Sequence, residues 1–241
     1  PSLIVLNRLL KYTVNDSILL SNVLLSDAVI FEMLFPKEAS FVVKDYEEFT
    51  LQSATSIAER FGRDLNHISR VSSVALEIYD KMKKLHGYKL RERTLLQVSA
   101  ILQDIGKYVN VKNHALLSYN TITNLDIVGI NDHERLIIAT VCYYHNGNIP
   151  SMDSPIYNQL SQEDRVMVSK LAAILQISNA INTSHSPKFE QVNVNMKNGK
   201  LNIYLTTLKN INLEKWAFIA KSKLFREVYG LNATIIKRGV L

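Results

Sequence analysis

The stretch Ser99-Ala100-Ile101-Leu102-Gln103-Asp104-Ile105-Gly106-Lys107 begins as an apolar helix, reaches a polar pair and stops at a glycine. A glycine directly after the last apolar residue is a helix stop signal. Polar side chains at the end of an apolar helix lie at the edge of a core, where a ligand can reach them. The pair Gln103-Asp104 is therefore the first candidate for a functional site, with Lys107 one turn further on.

Helical periodicity continues on both sides of this stretch. Apolar residues recur with the period of 3.6 that is typical of amphipathic helices. The sequence Ser161-Gln162-Glu163-Asp164 also has the pattern of a helix-capping box. We predict helices over residues 51–61, 64–85, 90–103, 114–124, 131–145 and 161–181, and a loop over residues 146–155.

The pattern changes after Pro187. Two apolar segments, residues 192–196 and 201–205, flank Asn198-Gly199, which is the strongest short-range signal for a β-hairpin. A helix over residues 213–229 and a strand over residues 233–236 are predicted to follow. The side chains predicted on one side of that helix are Trp216, Ile219, Ala220 and Leu224.

These patterns predict a mainly α chain in three parts. Residues 1–45 contain a short apolar strand at 18–20 and a short helix at 28–34. Because that strand alone would leave unpaired backbone edges, we expect this part to be the remnant of a preceding α/β domain. Residues 46–186 are the predicted helical bundle. Residues 187–241 are a small α+β unit of hairpin, helix and strand.

The charge balance favours anionic partners. The 241 residues include 28 Lys and Arg against 22 Asp and Glu, a formal net charge of +6. Such a balance is typical of proteins that bind phosphates, polyanions or nucleic acid, although a basic surface that serves solubility is the alternative. Backbone amides after Asp104 are expected to add donors for a phosphate. The basic residues next to the candidate motifs are Arg63, Arg70, Lys107, Lys112 and Lys188.

Other compositional features exclude some classes of protein. Cys142 is the single cysteine, so an internal disulfide is impossible, and this fits a cytoplasmic protein. Apolar runs stay below the ~18 residues of a membrane span. The eight glycines are scattered and form no phosphate-binding loop. We therefore expect no membrane partner and no phosphatase machinery of the glycine-loop type.

Four histidine or polar positions accompany Gln103-Asp104 at or near helix ends: His67, His114, His145 and Asn179. Imidazole nitrogens and carboxylate oxygens that converge from several helices are the ligands of a divalent metal. A bound metal can generate hydroxide from water for phosphoester cleavage. Each of these histidines, taken alone, is more often a structural residue held by a hydrogen bond.

Taken together, these positions resemble a known family. The order His67, Gln103-Asp104, Asn179 is similar to the H…HD…D pattern of the HD superfamily. Three stretches more closely resemble the C-terminal domain of the exopolyphosphatase and guanosine pentaphosphate phosphohydrolase family. They are ILQDIGKYVNVKNHALLSY (101–119), YYHNGNIP (143–150) and LAAILQISNAINTSH (171–185). The resemblance implies an HD-like bundle with the α+β ending, preceded in full-length members by an actin-like phosphatase module whose end is residues 1–45.

The chain departs from the family pattern where a metal would bind. Gln103 replaces the HD histidine, and Asn179 and Asn182 replace aspartates. Because an amide oxygen lacks the negative charge on which divalent ions depend, we expect no tightly bound metal and no cofactor. A weak or rearranged divalent-metal site is the alternative. The resulting degenerate positions are His67, Gln103, Asp104, His114, His145 and Asn179.

In the resembled family, catalysis belongs to the actin-like domains, and the C-terminal domain helps to hold polyphosphate and forms the dimer. The resemblance therefore implies a non-catalytic domain that binds polyphosphate or guanosine polyphosphate and forms a homodimer. A full-length relative is expected to be a hydrolase. One alternative is a metal-dependent HD-type phosphohydrolase, and another is a domain that senses guanosine tetra- or pentaphosphate. Nucleic acid stays open as a further polyanionic partner.

Overall fold

The structure, a computed structural model, describes residues 8, 10–12, 33, 40–197 and 199–239. The chain divides into two compact units, residues 1–45 and 46–241. The strand and helix predicted at 18–20 and 28–34 lie outside the described residues. The assignment of residues 1–45 to the end of an actin-like module therefore stays a prediction, as does the further division at residue 187.

The described part of the chain is mainly helical, as predicted. None of its helices has both the length and the apolar composition that a bilayer crossing requires. A 3₁₀ turn, Ile105–Tyr108, follows the fourth helix. The helices are α1 (Ser40–Arg60), α2 (Leu65–Lys81), α3 (Lys83–His86), α4 (Leu90–Leu102), α5 (His114–Ile122), α6 (Asp132–Tyr144), α7 (Pro155–Asn158), α8 (Gln162–Ile181) and α9 (Asn212–Tyr229).

Helix α8 is the centre of the bundle. Every residue from 171 to 178 is buried, which is typical of a helix that is surrounded by others. It packs against α2, α6 and α9, while α4 packs against α2 and α6. The side chain of Ser161 caps its N-terminus by accepting a hydrogen bond from the N–H of Asp164. The ends of α4 and α6 therefore lie close to one another around α8.

The C-terminal residues form the predicted hairpin, helix and strand. Strands β1 (Gln191–Lys197) and β2 (Lys200–Thr206) are antiparallel, and β3 (Asn232–Arg238) pairs with β2 in parallel. Alternate residues of β2 are buried, as expected for a strand with one covered face. Helix α9 contacts both β3 and α8. The sheet and the bundle therefore share one core.

Three sequence predictions differ from the structure. Helix α1 begins at Ser40, before the predicted start at residue 51, because the mixed and charged sequence before Thr50 has no clear helical periodicity. The long helix predicted at 64–85 is interrupted at Met82, whose N–H bonds to the carbonyls of both Ile78 and Tyr79. The predicted loop contains the start of α7 at Pro155, a residue favoured in a first helical turn.

The apolar side predicted for α9 is only partly buried, and of its large side chains Leu224 is the buried one. Trp216 and Ile219 are 71% and 76% exposed, whereas Phe218 and Phe225 are buried against the core. The two sides of this helix are both partly apolar, so the sequence pattern alone does not identify the side that faces α8. The outer side of α9 is left with large apolar side chains in solvent.

Gly106 permits a close approach between the turn after α4 and helix α5. A Cβ atom at this position would lie 2.2 Å from the carbonyl oxygen of His114 and 2.5 Å from the backbone nitrogen of Ser118. The Ser118 hydroxyl accepts from the Gly106 N–H and donates to the Gln103 carbonyl, each at 2.9 Å. The beginning of α5 is thereby held directly against the Gln103-Asp104 turn.

We expect Gly106→Ala to destabilise the protein by at least about 1–3 kcal/mol, because the added methyl group meets backbone atoms that have no room to move. Urea unfolding followed by circular dichroism measures the change. Gly239→Ala is the control, since a Cβ there meets no atom within 4 Å. Equal unfolding midpoints for the two variants would contradict the close approach.

Candidate functional site

Asp104 is placed at the site by the end of α4. Gln103 is the C-cap of that helix, and the Asp104 side chain then turns into the protein, where the residue is 4% exposed. The N–H of Lys107 bonds to the Asp104 carbonyl at 3.0 Å, and the N–H of Gly106 bonds to Ser118. The backbone amides predicted as phosphate donors are therefore engaged in holding the turn.

His145 is placed by the contact between α6 and the central helix α8. The side-chain amide of Gln176 donates to the carbonyl oxygens of Tyr144 at 2.7 Å and Asn148 at 2.8 Å. Because these carbonyls lie on both sides of His145, the chain cannot move there without breaking a buried hydrogen bond. The 1% exposed His145 is thus held rigidly at the end of α6.

Asp104, His114 and His145 form a buried cluster, here called the triad. Oδ1 of Asp104 lies 3.2 Å from Nε2 of His145 and 3.6 Å from Nε2 of His114. The Nδ1 atom of His114 lies 2.7 Å from the carbonyl oxygen of Val111, and that of His145 lies 2.5 Å from the carbonyl oxygen of Cys142. Because a carbonyl oxygen can only accept, each ring donates its Nδ1–H in these hydrogen bonds. Both Nε2 atoms are therefore directed to the same carboxylate.

The second oxygen of Asp104 has cationic neighbours. Oδ2 lies 2.7 Å from Nζ of Lys107 and 3.5 Å from Nη2 of Arg63. Burial by itself raises the pKa of Asp104, but the contacts with His145 and Lys107 outweigh it and hold the pKa well below its usual range. Asp104 is consequently a carboxylate under all ordinary conditions.

His67 lies beside the triad but is not part of it. The residue is 2% exposed, and neither ring nitrogen has a hydrogen-bond partner among the described residues. Its ring faces that of His185 at 4.1 Å between centroids. Burial, followed by the influence of His185, lowers the pKa of His67 to about 4. His67 is therefore a neutral imidazole near pH 7.

The two amide positions of the predicted site are separate from the triad's contacts. Gln103 is 1% exposed, and its Oε1 has no hydrogen-bond partner in the described part of the chain. Asn179 is half-buried late in α8, and the structure gives its side chain no hydrogen bond with a described residue. Of the six predicted positions, the structure brings three together as donors: Asp104, His114 and His145.

The five predicted basic residues have different surroundings. Arg63 and Lys107 contact Asp104, and Arg70 lies close enough to His67 to lower its pKa. Two further residues lie outside this group: Lys112, which is exposed, and Lys188, which pairs with the buried Glu214 at 2.9 Å. The charge of Lys188 is thereby neutralised inside the protein.

Lys221 is a candidate residue that the sequence analysis missed. It lies on α9, and burial lowers the pKa of its ammonium group, with opposing influences from Asp104 and Lys107. It has no ion pair or hydrogen bond with another described residue. The sequence carries a partial signal, because Phe218 and Phe225 lie three and four positions away and put Lys221 on an apolar side of α9, but only the structure shows that this side is buried. The site therefore combines three donors for a cation with basic groups for an anion.

Comparison with known proteins confirms the family resemblance. A family model described as Ppx/GppA phosphatase, domain III, matches residues 51–224, a range that contains the triad and Lys221. The chain is also similar to the guanosine-5'-triphosphate,3'-diphosphate pyrophosphatase of Photobacterium profundum, with 23% identity over 162 residues. The matched part is 67% of this chain and 31% of that relative, so the chain spans about a third of the relative's length.

Acidification is expected to destabilise the protein through His67. The pKa of His67 is about 4 in the folded protein and 6.5 ordinarily, so between these values the unfolded chain binds the additional proton. The free energy of unfolding therefore falls as the pH falls from 6.5 to 4, by up to about 3 kcal/mol for this group.

Urea unfolding at several pH values measures this effect. His67→Phe keeps a ring against His185 but cannot titrate, so its free energy of unfolding should depend less steeply on pH. Asn66→Ala is the control, because Asn66 is exposed on the same helix and does not titrate. A His67→Phe profile as steep as that of the unmodified protein would contradict the assignment.

Proposed function

Because the chain belongs to the Ppx/GppA phosphatase family, of which it contains domain III, we propose that it binds a phosphate polyanion and forms a homodimer. In this proposal the domain itself has no catalytic role. The replacement of the HD histidine by Gln103 and of a late aspartate by Asn179 supports that part. The preferred ligand is polyphosphate, and a guanosine polyphosphate is the second candidate, suggested by the name of the Photobacterium relative.

A surplus of positive charge around Asp104 is the main support for the proposal that the protein binds a polyanion. Arg63 and Lys107 both contact one oxygen of this carboxylate. Lys221 interacts electrostatically with Asp104 and Lys107 and has no ion pair with a described residue. Three basic side chains thus share one buried negative charge. Partly buried cations without a counter-ion are unfavourable, and an anionic ligand removes that penalty.

Arg70 extends this basic region along α2. It interacts electrostatically with His67 and with the exposed Asp64, and its Nε is buried without a hydrogen-bond partner among the described residues. A guanidinium group with free donors suits phosphate oxygens, which accept hydrogen bonds from several directions. A chain of phosphates can contact several such groups at once, whereas a single phosphate cannot. This favours a polyphosphate over a monophosphate.

The outer side of α9 supports the dimerisation proposal. Leu213, Trp216 and Ile219 are 47%, 71% and 76% exposed and lie on one side of this helix. The opposite side of α9 packs against α8 and β3. Neighbouring large apolar side chains in solvent are typical of surfaces that become buried in an assembly. We therefore assign the dimer contact to this side of α9.

Polyphosphate binding is expected to weaken about tenfold in Lys221→Ala, the effect of losing about 1.4 kcal/mol of charge-assisted interaction. The dissociation constant is measured by calorimetry with polyphosphate of one defined chain length, in chelator, over a series of salt concentrations. The slope of log affinity against log salt should decrease by roughly 0.7–0.9, the value per phosphate contact in nucleic acids.

Lys215→Ala is the matched control for this experiment, since Lys215 is an exposed lysine on the same helix. Equal loss of affinity in both variants would indicate general charge attraction and reject the Asp104 region as the binding site. Stronger binding of guanosine tetraphosphate than of polyphosphate would favour the nucleotide-sensing alternative.

Ile219→Asp is expected to convert the dimer to a monomer, because the charge would be buried in an apolar contact. Sedimentation equilibrium gives the mass in solution. Leu208→Asp is the control, since Leu208 is also 76% exposed but lies outside α9. A monomeric unmodified protein, or an Ile219→Asp variant that remains dimeric, would reject this surface.

A further inference from the structure

One buried oxygen of the triad lacks a hydrogen-bond partner. Oδ1 of Asp104 is buried, and no described group donates a hydrogen bond to it with acceptable geometry, although two imidazole nitrogens lie nearby. A buried carboxylate oxygen without a donor is unfavourable, because it has lost its hydrogen bonds to water and gained none in the protein. Lys107 and Arg63 do not relieve it, since both contact Oδ2. Oδ1 is therefore available to a cation.

The two histidines are oriented as metal ligands usually are. In most metal sites, the nitrogen that does not bind the metal donates its proton to a carbonyl or carboxylate, and this leaves the other nitrogen as a lone-pair donor. His114 and His145 have this arrangement through the carbonyls of Val111 and Cys142. With each Nδ1–H donated to a carbonyl, Nε2 is the nitrogen of each ring that is left to bind a metal ion beside Oδ1.

The separations of Oδ1 from the two imidazole nitrogens fit a tetrahedral ion. With metal–ligand distances of about 2.0–2.2 Å, two ligand atoms of a tetrahedral zinc site lie about 3.3–3.6 Å apart. The observed separations of Oδ1 from the two Nε2 atoms are 3.2 and 3.6 Å. All three ligand atoms lie within 4.8 Å of one another. His67, which the family pattern would use, is not among them.

We propose that, contrary to the sequence-based expectation of no tightly bound metal, Asp104, His114 and His145 bind one divalent cation of the zinc class through Oδ1 and the two Nε2 atoms. Two imidazoles and one carboxylate suit a borderline ion such as Zn²⁺ or Co²⁺ better than Mg²⁺ or Ca²⁺, which prefer oxygen ligands alone. Three protein ligands leave a fourth position for water or for an oxygen of an anion. The proposal does not depend on polyphosphate binding.

Metal binding by the chelator-treated full chain tests the proposal. Calorimetric titration with Zn²⁺ should give one ion per chain, and Co²⁺ should give the intense visible absorption of a tetrahedral site. His114→Gln should lower the Zn²⁺ affinity by more than about tenfold. His133→Gln is the control and should bind as the unmodified protein does, because His133 is an exposed residue that pairs with Asp164 outside the triad.

Asp104→Asn provides a second variant, and circular dichroism establishes that each variant is folded. The midpoint of thermal unfolding should rise with Zn²⁺ in the unmodified protein and not in a folded ligand variant. The proposal is rejected if the unmodified protein binds no stoichiometric metal, or if His114→Gln and His133→Gln bind equally. Polyphosphate affinity is measured in chelator, so failure of this proposal leaves the test of polyphosphate binding unaffected.

Discussion

The close backbone contact between Gly106 and the start of α5 determines the geometry of the site. No side chain fits between the turn and the helix, and the Ser118 hydroxyl joins the backbone on both sides of Asp104. This contact brings His114 next to a carboxylate at the end of another helix. His145 reaches the same carboxylate from α6, where Gln176 holds the chain. Backbone packing, more than attraction between side chains, therefore assembles the triad.

Asp104 has two oxygens in different surroundings. Oδ2 contacts Lys107 and Arg63 and is part of an ion pair, whereas Oδ1 meets two imidazoles. Burial alone would raise the pKa of Asp104, but the contacts with His145 and Lys107 lower it and stabilise the buried negative charge. Lys221 brings a further positive charge from the C-terminal helix. Cation and anion binding are thus proposed for neighbouring groups that share one carboxylate.

Prediction from the sequence was most accurate where local signals agree. The helix predicted at 161–181 has a capping serine and a long apolar stretch, and α8 begins one residue later and ends at the same residue. The hairpin at Asn198-Gly199 was predicted for a similar reason. The sequence left the buried side of α9 undetermined, because Trp216 and Phe218 are both aromatic and only packing against α8 distinguishes them. Lys221 was missed together with that side.

The sequence by itself determined the mainly helical class, the C-terminal α+β ending, the family, and the residue types near Asp104. Periodicity, capping and turn signals are local, so they can be read along the chain. The tertiary structure alone decided that His114 and His145, rather than His67, approach Oδ1 of Asp104. It also decided that Lys188 is neutralised by Glu214, while Lys221 is unpaired among the described residues. These contacts are between residues that are distant in sequence, and the distances between their side chains depend on how the helices pack.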